Sequence, residues 1–240
     1  MKKLLVLAVA LGIAQPAMAG SLDLTKLLGA SKQTNFRNLS EDLGSALSYK
    51  AISPAESMGI TGFDVGVELT STKLAKSDYL WKTLTGTDMS NLYVPKLHIT
   101  KGLPLDIDIG AFASTIPTTG INLFGGELKY AVLPGSVAMP AVAIRGSLSK
   151  LSGVKQLSLD TKSVDVSISK GFAMFTPYAG VGQVWVTSTP DAALGLKEEK
   201  FKHSKAFVGA NLNFGLTNFA AEFDETGSAK SLNFKLGFRF

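Results

Sequence analysis

Cysteine is absent from the 240 residues. That removes thiol nucleophiles, disulfides and Cys-ligated metal sites from consideration. A chain of this length builds enough core or barrel to do without disulfides. Histidine occurs only twice, at positions 98 and 203, so bases that titrate near neutrality are scarce. Past the N terminus there is no uninterrupted apolar run of about 18 residues, the length read as a membrane helix. The best stretch, "GFAMFTPYAGVGQVWV", is broken by Pro177, several glycines and Gln183. HExxH, Walker and glycine-rich phosphate motifs are missing, and "GGELKY" around Gly125 and Gly126 reads as a strand kink. The net charge of +5 belongs partly to Lys2 and Lys3 and is too small to imply a nucleic-acid partner.

The first residues are of another kind. "MKKLLVLAVALGIAQPAMAG" has a basic start, an apolar stretch from Leu4 to Ala14, a breaker at Pro16 and the small-x-small sequence Ala17-Met18-Ala19. An uncleaved anchor helix would need roughly 20 apolar residues. The pattern is that of a cleaved export signal, with cleavage expected before Gly20 and residues 1–19 removed.

Residues 20–59 form the next segment. In "NLSEDLGSALSYKA", Leu39, Leu43, Ala46 and Leu47 recur at helical spacing, with Ser40 as the expected cap and Glu41 and Asp42 in the first turn. "LDLTKLLG" is a shorter helical candidate, and "ISPAESMG" reads as a linker. Three places suit this segment: a plug in a lumen, a lid on the periplasmic mouth, or a free periplasmic extension.

From Ile60 onward the period is two. "GFDVGVELTST", "LDIDIGAFAS", "SVDVSIS", "FVGANLNFGL" and the closing "SLNFKLGFRF" alternate apolar and polar residues, and less regular copies lie near Leu92–Thr100, Gly126–Val132, Ala141–Lys150, Pro177–Thr187 and Thr217–Asp224. That makes ten expected strands. Connections after the even strands are tight ("KGLP", "LPGS", "KGFAMFTP", "GLTN"), whereas those after the first and seventh, "KSDYLWKTLTGTDMSN" and "STPDAALGLKEEKFKH", are long and polar. Long loops on one side and short turns on the other fit an up-and-down barrel. Pro95 interrupts the second strand, where it has no N–H to donate.

Alternation alone suits a soluble sandwich, a barrel with apolar residues inside, or a membrane barrel with apolar residues outside. The ends decide among them. A last strand closing on Phe238 and Phe240, behind an export signal, is similar to the C-terminal assembly signal of outer-membrane barrels. This implies recognition by the barrel assembly machinery through strand addition, and closure of that strand on the first. "LSEDLGSALSYK", "GITGFDVGVELTSTKL", "LYVPKLHITKGLP", "VDVSISKGFAMFTPYAGVGQVWV" and "KLGFRF" further resemble, in order and over most of the chain after the leader, a group of small uncharacterised outer-membrane proteins of Gram-negative bacteria. The resemblance implies the barrel and the outer-membrane location, with no activity attached.

The expected fold is therefore all-β: an antiparallel up-and-down transmembrane β-barrel of about ten strands over residues 60–240, with a short helical N-terminal segment. The face opposite the lipid receives Asp64, Glu68, Lys96, His98, Asp106, Asp108, Glu127, Lys129, Arg145, Asp165, Asn211, Glu222, Lys235 and Arg239. Two uses suit these interleaved charges: a paired network filling a narrow barrel, or a polar channel with a charged constriction. Tyr79, Trp81, Tyr93, Tyr178, Trp185, Phe219, Phe238 and Phe240 are expected in interfacial girdles. No catalytic group, cofactor or metal site is expected, because His98 and His203 lie toward opposite ends of the barrel. Expected partners are outer-membrane lipid, the assembly machinery and small polar solutes. The leading function is a small pore or transport barrel, and the alternative is an adhesin-like barrel whose long loops bind a partner.

Overall fold

The computed structural model describes residues 22–27, 29–116 and 121–240. The expected leader, residues 1–19, lies outside the described residues, as does most of the "IPTTG" connection.

Ten strands close into one antiparallel barrel in which each pairs with its sequence neighbours and the last returns to the first. They are β1 (Phe63–Lys73), β2 (Asn91–Leu103), β3 (Ile107–Ile116), β4 (Ile121–Leu133), β5 (Ala141–Ser152), β6 (Leu157–Ser169), β7 (Phe175–Pro190), β8 (Glu199–Phe214), β9 (Thr217–Thr226) and β10 (Ala229–Arg239). Closure uses the alternating C-terminal residues: Asp64 faces Arg239, Val65 faces Phe238, and the register continues to Lys73 opposite Lys230. Phe63 and Phe240 exchange backbone hydrogen bonds of 2.7 and 3.0 Å, and their rings lie 5.6 Å apart. The closing strand thus leaves no edge.

The strands run further toward the loop end than the alternation suggested. β7 and β8 each span 16 residues, so the connection after β7 shrinks to residues 191–198 and Lys205 joins the inward face. The first long loop is not simply polar, for it holds α2, while α1 spans Lys32–Leu47 (Asp78–Thr85 for α2). Leu80, Trp81 and Leu84 of α2 are buried. At the turn end, Leu105 and Asp106 have φ of 65° and 58°, which ends the alternation there. Asp106 therefore sits in the turn before β3, not in the lumen, and Leu105 is 80% exposed.

Helix α1 begins at Lys32, nine residues before Glu41, the first position expected after a cap at Ser40. Ser40 is no cap; it lies mid-helix, buried, donating to the Ser188 hydroxyl of β7 at 2.8 Å. Every residue from Leu39 to Leu47 is buried, so this is a helix inside a barrel mouth. Gly44 is required for that fit, because a Cβ there would come within 2.8 Å of Val186. Before α1, a 3-10 turn at Leu24–Lys26 is capped by Asp23 and tied to the loop end, where Asp23 N–H donates to the Leu84 carbonyl at 3.2 Å. After α1, residues 48–57 descend through the lumen to the turn end, where Met58 N–H reaches Asp108. The segment before β1 thus passes through the barrel from the loop end to the turn end.

Candidate functional site

The strands turn their charged alternate positions inward, and the described lumen is built around them. Asp64, Glu68, Lys96, His98, Asp108, Glu127, Lys129, Arg145, Asp165, Asn211, Glu222 and Lys235 are all buried, while Arg239 is partly exposed at the turn end, its Nε 2.7 Å from Asp64. Opposite signs meet across neighbouring strands in Lys235–Asp64 at 2.6 Å, Arg145–Glu127 at 2.6 Å, Lys129–Asp108 at 2.8 Å and Lys96–Glu68 at 3.3 Å, and Lys205 of β8 reaches past β7 to Asp165 of β6 at 3.3 Å. Pairing of this kind makes buried charge tolerable, since a charge removed from water without a partner is costly.

The wall does not satisfy itself alone. Lys50, in the segment after α1, pairs with Asp224 of β9, and both side chains are fully buried. Lys205 donates to the Tyr49 carbonyl at 3.1 Å. Arg145 donates to the Ser53 hydroxyl at 3.2 Å, and Lys129 to the carbonyls of Pro54 and Glu56 at 3.1 and 2.8 Å. Ala55 N–H donates to the Ser169 hydroxyl at 3.1 Å. An extended segment cannot satisfy its own backbone, so the wall's long cations and hydroxyls supply the partners. Between these anchors the chain turns at Ile52 with φ of 44°, a conformation β-branched residues avoid at a cost of about 1–3 kcal/mol.

His98 belongs to this arrangement. Its Nδ1 lies 2.6 Å from Glu68 Oε1 and its Nε2 lies 2.7 Å from the Tyr49 hydroxyl. Both ring nitrogens are engaged, one by the wall and one by the internal segment. His203, near the loop end of β8, stacks edge-on against Phe201 at 4.9 Å.

The loop end is filled differently. Leu39, Leu43 and Leu47 of α1 pack with Trp81 and Leu84 of α2 and with Leu92, Val94, Leu123, Leu151, Leu159, Val184 and Val186 on the inward faces of the strands. Asp42 joins the two helices. Its carboxylate accepts from the backbone N–H groups of Ala75, Lys76 and Ser77 and from the Ser77 hydroxyl, at 2.8–3.2 Å. It holds from another helix the residues that lead into α2, next to an N terminus whose dipole favours an anion. Around it, Glu41 pairs with Arg37 at 2.5 Å and with Lys76, and Arg37 reaches Glu199 at 2.8 Å. Burial pushes the Glu41 carboxyl upward, but Lys76 and Arg37 outweigh it and hold the group below its ordinary range.

Outside, the wall is apolar: Leu97, Ile99, Ile109, Leu128, Ile144, Val164, Val166, Ile168, Val181, Val208, Phe223, Phe234 and Leu236 all face away from the interior and are exposed. A soluble barrel or sandwich would reverse this order; only hydrocarbon is a solvent for such a band around a charged interior. The chain is a transmembrane β-barrel. No family model matches it, and no curated protein does. Solved structures similar to it include the N-terminal β-barrel domain of OprF from Pseudomonas aeruginosa, at 12% identity over 74% of this chain and 97% of that one, TM-score 0.37. The β domain of the Bordetella autotransporter BrkA matches at 12% identity over 75% and 99%, TM-score 0.39. The KdgM porin in complex with disordered oligogalacturonate matches at 9% identity over 75% and 99%, TM-score 0.38.

In this transmembrane barrel the aromatic residues divide. Tyr93, Trp185, Phe219, Phe238 and Phe240 are exposed on the outer surface, and Tyr79 is exposed on α2. Trp81 and Tyr178 are buried inside, contrary to the girdle expectation: Trp81 anchors a loop helix, and Tyr178 lies on an inward strand position. Tyr49, Lys50, Lys205 and Asp224 were not among the expected lumen residues. Lys205 was hidden by an apparent loop, and Tyr49 and Lys50 by a segment that reads as a helix end and a linker.

Proposed function

We propose that this barrel is a small pore for polar solutes that residues 48–57 hold closed. The observation that supports it is the division of hydrogen bonds within the lumen. Lys50, Lys129, Arg145 and Lys205 join the segment to the wall through contacts that water or a polar solute is able to replace. Withdrawal of the segment leaves a hydrated, charged lumen lined by both signs, with Glu68, Lys96, His98, Glu127, Arg145, Asp165, Glu222 and Lys235 as its inner ring, Asp64, Lys129 and Arg239 nearer the turn end, and the barrel wall intact. The reading assigns no catalytic step to the chain. It includes removal of residues 1–19 on export, and recognition of Phe238 and Phe240 by the assembly machinery before closure.

The test is single-channel conductance in planar bilayers of the protein lacking the leader, with and without residues 20–57. Conductance that rises on truncation is the expected result. Because truncation also removes α1 from the loop-end core, a second variant keeps the whole chain. Cysteines at Ala55 and Ser169, in a chain with none of its own, lock the segment to β6 when oxidised. Conductance recovered on reduction supports the gate. Silence in every form, from protein shown to be folded by heat-modifiable gel migration, rejects it.

A second reading has its own support. The two helices and the apolar core beneath them make an ordered platform at the loop end, as an adhesin-like barrel needs for binding a partner. Binding lost on trimming residues 76–91 or 190–203, with conductance unchanged, would favour it.

A further inference from the structure

The ladder between β2 and β3 runs from Leu103 opposite Ile107 to Leu97 opposite Ala113 and then stops. Both strands continue. Residues 91–96 of β2 stay paired to β1, and Ser114 and Thr115 of β3 stay paired to β4. The wall therefore parts between β2 and β3 on its loop side. Pro95 lies in the parting and supplies no N–H with which to extend the ladder.

A cavity of about 40 Å³ lies behind this parting. From inside it is bounded by Leu43 and Leu47 of α1, Trp81 of α2 and the inward side chains Leu92 and Val94. Tyr93 and Pro95, whose neighbours in the alternation point inward, also line it, and Tyr93 is 38% exposed on the outer surface. Residues of both faces of one strand border the same space beside the place where the ladder stops, so the cavity adjoins the parting in the wall. Its lining is hydrocarbon apart from a few groups such as the hydroxyls of Ser114 and Thr85.

We propose that this is a lateral binding site for one alkyl chain of an amphiphile, entering between β2 and β3 from the outer leaflet. Three features carry it. The mouth is continuous with the lipid-facing surface at the upper edge of the apolar band, where Tyr93 marks the interface and chain-bearing molecules are concentrated. The lining has almost nothing to offer a polar solute, whose desolvation would go uncompensated. The volume sets the size: at roughly 10–15 Å³ for each water-sized position, the space takes the tip of a chain of a few methylenes and excludes a whole lipid. The same chemistry comes from a membrane phospholipid or from a free fatty acid. The site is separate from the charged lumen, and its occupation does not depend on whether the barrel conducts.

The chain's two tryptophans make the test direct. Trp81 lines the cavity and is 1% exposed, whereas Trp185 stands 46% exposed on the outer face of β7. The Trp185→Phe protein, otherwise full length after leader removal, is reconstituted in vesicles of phosphatidylcholine brominated along its acyl chains, or in unbrominated vesicles with added brominated fatty acid. Loss of most Trp81 emission with brominated phospholipid assigns the site to membrane lipid. Loss only with the brominated fatty acid assigns it to a free amphiphile. In each case Val94→Phe, which fills the cavity without altering the outer face, is expected to restore Trp81 emission, while Trp185 in the Trp81→Phe protein remains quenched by brominated phospholipid. Trp81 emission unaffected by both reagents, or quenching that Val94→Phe leaves unchanged, overturns the proposal.

Discussion

The two ends of the barrel interior share one wall and are filled by opposite chemistry. At the loop end, α1 and α2 pack Leu39, Leu43, Trp81 and Leu84 against Leu92, Leu123, Leu159 and Val186, an arrangement a soluble protein would use for its core. From the middle to the turn end, the same strands present Glu68, Glu127, Arg145, Asp165, Asp224 and Asp108, and the filling is an extended segment held by ion pairs and hydrogen bonds. The difference teaches where exchange with water is affordable. Packing in the apolar half is close and non-directional, so solvent gains nothing by entering. Polar contacts like those of the lower half are of a kind that bridging water is able to replace once it enters. On the proposed reading, one half stays fixed and the other opens.

The comparison is sharpest where a single group is removed. Lys50→Ala leaves Asp224 buried without its cation, and we expect a destabilisation of about 3–5 kcal/mol, read as lower heat-modification temperature and early protease access to residues 48–57. Converting the pair together, Lys50→Met with Asp224→Leu, is expected to recover that loss, because a well-packed apolar pair avoids the desolvation cost. If the double variant is as weak as the single one, the lower half depends on charge for more than pairing. In the upper half, Leu39→Ala removes a fully buried side chain and is expected to cost about 2–5 kcal/mol. Its signature differs: exchange protection falls over α1 and α2 together, with residues 53–57 less affected. Equal loosening of both regions would show that the two fillings are one cooperative unit.

Smaller effects separate the helices from the wall. Asp42→Ala leaves the N–H groups of Ala75, Lys76 and Ser77 without their acceptor and is expected to cost about 1–3 kcal/mol, with faster amide exchange at Ser77 and its neighbours. The smallest effect is a pH dependence at Glu41. Its carboxyl is held low in the folded barrel by Lys76 and Arg37 against the upward push of burial. A depressed folded value means that the stabilisation is complete above the ordinary glutamate range, about 4.3, and is lost as pH falls through the lower folded value. Exchange at the start of α1 and at Lys76 should rise only in that acid window, and Glu41→Gln should abolish the rise.

The wall was legible because its signal is local. Alternation in "GFDVGVELTST" and "SLNFKLGFRF" states which residues share a face, and tight turns against long loops state which strands adjoin. The inward positions of Asp64, Glu68, Arg145 and Lys235 follow from the same period. Lys205 and Asp106 were misplaced because strand ends depend on pairing with a neighbour: β8 extends beside β7, and positive φ at Leu105 and Asp106 ends the alternation before β3. Asp42 looked like a dipole partner for its own helix and instead holds the chain leading into another, a role set by contacts between residues 33 to 35 positions apart. Trp81 and Tyr178 looked interfacial because composition does not distinguish an aromatic at a wall's edge from one beneath it.

The sequence by itself determined the period, the strand count and the rule that charge and hydrocarbon lie on opposite sides of the wall, because each is carried by residues a few positions apart. Which side faces out was undecided by the alternation and was expected from the two ends of the chain, and the closed barrel has the apolar side outward. The path of residues 22–57, from the loop end through the lumen to the turn end, was likewise decided by tertiary structure alone. Its partners, Asp224, Arg145, Lys129, His98 and Lys205, are supplied by strands distant in sequence. No local pattern marks an extended segment for burial when its hydrogen bonds come from elsewhere in the chain.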